Sequence, residues 1–339
     1  MFGWLILLLI SISPISLISA EASSSTQPPI TTKIAIIGGG PAGHSAAVGA
    51  SKGGHEPVVI EGSVMTGAAN RAGLITNYPG ITDATGLEIV QKLRAHAKDL
   101  GAKLYPEETV ESCNFKSKPF TLKTNKGQTV NCDTVLIATG TNPKKLYIPG
   151  ETKFEGKGVA YCSTCDAPMF KNKDVLIVGG DHNALREVST LKKFAKNITI
   201  LTRKENFKAP QFLLNHLKLP NVKVVKKANV KEIMGTDKVT GVKAEMDNGE
   251  MEVFPTQGVF IALGWKPNTH VFKDHLKLDK DGKINVNCET FETSVPGVFA
   301  AGDCSTKSKH QMPASSGNGY NAYLSLEQYL KKLEAAPAS

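Results

Sequence analysis

Paired metal ligands are scarce in this sequence. Its 339 residues hold six cysteines and a single Cys-x-x-Cys, Cys162 and Cys165, with no second such pair, and its one His-x3–5-His, His270 and His275, stands more than a hundred residues further on. A zinc centre wants two ligand pairs at similar spacing, so no metal site is expected. Aromatics are thin as well, at 6%, and the lysines are scattered, with no basic stripe interleaved with rings. The net charge of +9 therefore reads as a solvated basic surface that suits an anionic cofactor, and nucleic acid is not an expected partner. Cationic residues are absent from the apolar run at 2–20, which Pro14 breaks and which ends in a small-x-small pattern, Ala20-Glu21-Ala22. Residues 1–22 read as a signal peptide and 23–32 as a polar, Pro-rich linker. The run is short for a spanning helix, and an uncleaved anchor stays open. The expected destination is the secretory pathway, periplasmic or extracytoplasmic.

What remains has the length of about two domains and, at 41% hydrophobic, an ordinary core. Lys33–Ile37 is a short apolar run, read as a buried strand. It leads into Gly38-Gly39-Gly40-Pro41-Ala42-Gly43, a G-x-G-x-x-G, then an alanine-rich helical stretch to about Lys52 and a second apolar strand, Pro57–Ile60, ending at Glu61. Gly38 and Gly40 let the backbone turn and approach a pyrophosphate, Gly43 lets helix pack on strand, and the helix N-terminus favours the phosphates. Glu61 is placed to accept a ribose hydroxyl. The bare motif is a weak signal; strand, helix, strand and acid together are a strong one. Val135–Ala138 is another buried strand, ending in Thr139-Gly140.

A Cys-x-x-Cys by itself suits half a zinc site, a redox pair or a structural bridge. Two nucleotide-binding signatures in one chain favour the redox pair, in which one thiol is available as thiolate near neutral pH. Asp166 follows directly and is placed to move the proton that thiol chemistry needs. Cys113, Cys132, Cys288 and Cys304 stand singly in apolar or strand-like context and are expected to be buried free thiols.

Across residues 33–333 the chain resembles the low-molecular-weight thioredoxin reductases, FAD-dependent pyridine nucleotide-disulfide oxidoreductases. The resemblance rests on Gly-Gly-Gly-Pro-Ala-Gly at 38–43, Asn-Tyr-Pro-Gly at 77–80, Ala-Thr-Gly at 138–140 and Cys-x-x-Cys-Asp at 162–166. It extends to Ala-Leu-Gly-Trp-Lys-Pro-Asn-Thr at 262–269 and Thr-Ser-Val-Pro-Gly-Val-Phe-Ala-Ala-Gly-Asp at 293–303. It implies an α/β protein with two Rossmann-like, three-layer nucleotide-binding domains, the second inserted in the first. The FAD domain would span 33–142 and 261–333, and an NAD(P)H-type domain carrying the cysteines would span 143–260. It implies a homodimer whose two domains rotate, so that the cysteine pair alternately meets the flavin and an outside disulfide. Cys165 would then face the flavin, Cys162 would exchange with the substrate, and Asp166 would be the acid/base.

The resemblance assigns FAD to Gly38, Gly40, Pro41, Ala42, Gly43, Glu61, Asn77, Thr139, Gly140, Asp303, Gln311 and Met312. It assigns NADPH to Gly179, Ala184, Arg203, Lys204 and Lys208, the last three for the 2′-phosphate. The loop at 67–72 lacks the family's Gly-Gln-Leu, and His310 stands where an arginine is usual.

The second glycine turn departs further. Asp174–Val178 runs into Gly179-Gly180-Asp181-His182-Asn183-Ala184, where Asp181 replaces the middle glycine of G-x-G-x-x-A. There the backbone must approach a pyrophosphate. One like-charge pair at about 5 Å and an effective dielectric of about 20 repels by roughly 3 kcal/mol. The leading expectation is NADPH to FAD to Cys162–Cys165 to a protein disulfide, the partner being a thioredoxin-like protein or a small dithiol or disulfide. The competing one is a flavin-dependent dithiol oxidase or reductase that does not use NADPH.

Overall fold

Two apolar runs without polar alternation, Ile34–Ile37 and Val175–Val178, demand burial on both faces. Each lies inside a parallel sheet. The computed structural model describes residues 28–63 and 67–335; the expected leader at 1–22 and the first half of the linker lie outside the described residues.

The chain opens with β1 (Ile30–Ile37), α1 (Pro41–Lys52), β2 (Val58–Gly62), β3 (Leu74–Ile75), β4 (Ala84–Thr85), α2 (Gly86–Asp99) and β5 (Lys103–Pro106). It continues through β6 (Val110–Asn114), β7 (Phe120–Thr124), β8 (Thr129–Ile137) and β9 (Thr141–Pro143). The first sheet runs β5-β2-β1-β8-β7-β6, with β7 and β6 antiparallel. Its α1-side face packs Ile34, Ile36, Val59 and Leu136 on the small residues Ala42, Ala46, Ala47 and Ala50. Its other face packs Ala35, Ile37, Val58 and Ile60 against Phe115, Phe120, Phe272 and Ile284. Helix α2 starts on a capping box: Thr85 accepts from the Glu88 amide while Glu88 accepts from the Thr85 amide. Such a cap stabilises a helix by about 1 kcal/mol.

The second unit comprises β10 (Val159–Ala160), α3 (Ser163–Asp166), β11 (Asp174–Val178), α4 (His182–Leu191), β12 (Asn197–Leu201), α5 (Gln211–Leu214) and β13 (Val222–Val225). β14 (Asn229–Gly235), β15 (Val239–Glu245), β16 (Met251–Pro255) and β17 (Gly258–Ile261) complete it. Its parallel sheet has the order β10-β17-β11-β12-β13. Helix α4 covers one face through Leu185, Val188 and Leu191. The antiparallel sheet β14-β15-β16 covers the other, with Ile233, Val242 and Phe254 on Leu176, Val178 and Val259.

The chain returns by β18 (Trp265–Pro267), which pairs antiparallel with β9, so both crossings between the units form one short ribbon. β19 (Val298–Ala300) then joins the first sheet beside β8, and α6 (Met312–Ala335) packs on α1. The close approach has a cause: Gly49 and Gly53 lie under the Tyr323 ring, where a Cβ would collide with it. The expected α/β architecture of two Rossmann-like units is therefore what the chain adopts.

Three of the four single cysteines are buried as expected. Burial pushes the Cys113 and Cys132 thiols up to about 12, which makes them inert. Cys288 corrects that reading, because it is exposed. It follows Asn287, whose side chain accepts from the Glu289 and Thr290 amides, so it lies in a surface turn and not in a strand.

Candidate functional site

A cavity of about 490 Å³ runs from the first glycine turn to the cysteine pair. Its wall includes Gly38, Gly40, Pro41, Ala42, Glu61, Asn77, Thr139, Gly140, Asp303, Gln311 and Met312, together with Cys162, Cys165 and Asp166. Gly43 lies beneath the wall: a Cβ there would collide with the Gly38 carbonyl oxygen, as close helix–strand packing requires. Gly40 is the N-cap of α1, makes no side-chain cap bond, and has open space where a Cβ would stand. The N-terminus of α1 is thus bare toward the cavity, a ready site for a pyrophosphate. The residues assigned to FAD fit that group. Gly43→Ala is expected to cost about 1–3 kcal/mol of stability through overpacking and to release bound flavin, which thermal melting and visible absorbance would read.

Glu61 is buried, and both its oxygens are held by Arg94 of α2, at 2.7 Å from Nε and 3.0 Å from Nη2. The clamp fixes the carboxylate and leaves it lone pairs for a ribose hydroxyl. His44 is fully buried beside it, with Nε2 3.4 Å from Glu61 Oε1, and neither ring nitrogen has a hydrogen-bond partner among the described residues. Burial first, then the Arg94 charge, holds its pKa down at about 4, so at neutral pH the ring is uncharged and forms no ion pair.

The Ala-Thr-Gly corner is stitched to the later Pro-Asn-Thr motif. Thr139 Oγ1 donates to the Asn268 carbonyl at 2.7 Å, and Asn268 Nδ2 donates back to the Thr139 carbonyl at 2.9 Å. Asp303 accepts from Ser308 Oγ at 2.7 Å and from the His310 amide at 3.2 Å. Burial pushes its carboxyl up, but the His310 ring, with Nδ1 3.5 Å from Asp303 Oδ2, the Ser308 bond and the Lys283 charge outweigh that and hold it below the usual range. The His310 ring stacks on Trp265 at 5.5 Å.

Cys162 and Cys165 are joined as a disulfide across the first turn of α3, with Cα atoms 5.5 Å apart. Two hydrogen bonds from other elements hold this turn. The Ser163 amide donates to Glu187 of α4 at 2.6 Å. Gln311 Nε2 donates to Thr164 Oγ1 at 3.0 Å, and Gln311 Oε1 accepts from Asn77 at 2.9 Å. Thr164 Oγ1 in turn lies 3.1 Å from Cys162 Sγ. A polar chain therefore runs from the first unit to one of the two sulfurs. Asp166 sits under the Gly73 amide of the first unit, and its pKa is raised to about 6, mainly by burial; the Gly73 hydrogen bond opposes the rise and Glu187 adds to it.

The nicotinamide set lies apart from this cavity. Gly179 and Ala184 pack closely, with 3.1 Å between the Ala184 Cβ and the position of a Cβ on Gly179. Arg203, Lys204 and Lys208 have no ion-pair partner within 4 Å among the described residues. Asp181 is the N-cap of α4, and its Oδ1 accepts from the Asn183 amide at 2.9 Å.

Sequence reasoning missed Arg94, His44, Thr164 and Glu187. Arg94 carried no sequence signal, because nothing about a basic residue 33 positions from Glu61 marks it as the clamp.

Residues 32–319 match the family described as "Pyridine nucleotide-disulphide oxidoreductase". The chain is 36% identical over 309 residues to a thioredoxin reductase of Rickettsia felis, covering 89% of this chain and 99% of that one. It is 35% identical over 315 residues to a glucosaminate ammonia-lyase of Pseudomonas fluorescens, covering 90% and 98%. The solved thioredoxin reductase of Streptococcus pyogenes superposes with a TM-score of 0.83 at 31% identity, covering 90% of this chain and 100% of that one. Family membership implies FAD and a pyridine nucleotide. Glycine cradle, disulfide and matches agree: the chain belongs to the pyridine nucleotide-disulphide oxidoreductase family, as a flavoprotein disulfide oxidoreductase of the thioredoxin-reductase type.

Proposed function

We propose that this enzyme binds FAD in the 490 Å³ cavity and exchanges electron pairs between the flavin and an outside disulfide or dithiol through Cys162–Cys165. The observation that carries the reading is the disulfide on the wall of the same cavity as the bare N-terminus of α1. FAD, when bound, supplies a two-electron carrier. The chain does the rest. Cys165 faces the cavity, Cys162 exchanges with the partner, and Asp166 holds or releases the proton. Glu187, Thr164 and Gln311 hold the turn between them.

A thioredoxin-like protein or a small disulfide is the proposed partner. The name of the Rickettsia relative supports this reading; the ammonia-lyase of comparable identity leaves the cysteine chemistry to decide. The charge kept at Arg203, Lys204 and Lys208 favours NADPH as the reductant. Asp181 favours a second reading, in which a dithiol reduces the pair and the electrons leave elsewhere. The leader-like first 22 residues favour export, and the exposed apolar residues Tyr320 and Leu324 on α6 favour a homodimer.

The test is direct. Purified protein should be yellow, with about one flavin per chain, and excess dithiothreitol under anaerobic conditions should bleach it. A colourless protein that stays colourless when offered FAD would end the proposal.

A further inference from the structure

The two βαβ turns of this chain are alike in sequence and finished differently. At α1 the cap is Gly40 and no side chain reaches the first turn. At α4 the cap is Asp181, and its carboxylate already takes the Asn183 amide at 2.9 Å. That carboxylate sits where a pyrophosphate would collect amide bonds, and it carries charge of the same sign. One oxygen of the Asp181 carboxylate turns back onto the α4 backbone.

The surrounding backbone gives it little freedom. Asp181 forms a parallel β-bridge with Lys208. The neighbouring Gly180 is roofed by Thr202 and Lys204: a Cβ on Gly180 would collide with Thr202 Oγ1 and stand 3.2 Å from Lys204 Cδ. Thr202 Oγ1 is itself fixed by the Lys204 amide at 3.1 Å. The stem of Lys204 therefore lies over Gly180, next to the capping carboxylate, and the basic loop is folded against the turn.

We propose that Asp181 closes the second dinucleotide fold to pyridine nucleotides, so that NADPH is not a ligand of this enzyme. The proposal sharpens the second reading above and shares its assumption that the flavin cavity is functional, but its test does not depend on turnover.

The experiment is a calorimetric titration of the FAD-loaded protein with NADPH. The native chain should show no binding up to about 1 mM. Asp181→Gly should bind at least roughly a hundredfold more tightly, which is about 2.8 kcal/mol. Asp181→Asn keeps the cap and drops the charge, and it should recover part of that gain. Unchanged melting temperature and flavin absorbance would establish that both variants are folded. Micromolar binding by the native chain would overturn the proposal. So would an Asp181→Gly chain no better than the native one, because something other than the carboxylate would then close the site. Failure of the flavin reading itself would appear separately, as a chain that takes up no FAD.

Discussion

Cys165→Ser is expected to slow the anaerobic bleaching of bound flavin by dithiothreitol by roughly a thousandfold or more, the scale of removing a covalent nucleophile. Flavin content and melting temperature should not change. Both sulfurs border the cavity, and the chain around them is held by Glu187, Thr164 and Gln311 without help from the sulfurs. Replacing one sulfur with oxygen therefore leaves the cofactor pocket standing. Cys162→Ser should be as inactive with an external protein disulfide and should also keep its flavin. Stopped-flow absorbance and an insulin- or thioredoxin-type reduction assay read the two halves separately. If either serine variant carried both electron transfers at the native rate, the roles assigned to the pair would be wrong.

Asp166→Asn should lower the exchange rate by about a hundredfold to ten-thousandfold, the range of a general acid or base, and remove an ionisation near pH 6 from the profile. Burial is the main cause of that elevated pKa. The slope carries the direction of flow. If Asp166 gives its proton to a departing thiolate, the native rate falls as pH rises through about 6. If it accepts a proton from an incoming dithiol, the native rate rises through the same pH.

The same substitution is expected to move stability the other way from activity. The folded-state pKa of about 6 lies above the ordinary 3.8, so the folded form binds the extra proton between those values. That contribution is complete below 3.8 and lost as pH rises through 6. At 1.36 kcal/mol per pH unit, the ionised carboxylate costs about 3 kcal/mol at pH 7. Asp166→Asn should therefore raise the melting temperature at pH 7 and leave it little changed near pH 4. Equal melting temperatures at both pH values would contradict the burial account.

What the sequence made legible was local. The strand–glycine–helix–strand–acid unit at 33–61 needs only neighbours in the chain to announce itself, and Cys162–Cys165 needs only its own spacing. Groups held by distant partners stayed hidden. Glu61 was visible as a ribose acceptor, while the arginine that clamps it lies 33 residues away on α2, whose pattern marked only the buried side. His44 stood in an alanine-rich helix and gave no sign that it would be buried without a hydrogen-bond partner. The ribbon of β9 and β18 is three residues a side with a proline in each strand, too short for any alternation to register. Asp181 was legible as an intruder. Its capping bond was not, because only the folded loop decides whether such a carboxylate turns inward or out.

That ribbon governs how the molecule can work in time. Both threads linking its halves pass through one narrow strap, so the half bearing the sulfurs is hung at a single place. A separate set of contacts, Gln311 to Thr164 and Gly73 to Asp166, latches the sulfurs inward. A bulky visitor and the cofactor would compete for the same two atoms, and serving one means unlatching from the other. Turnover would then be alternating, and its ceiling would be how often the latch lets go.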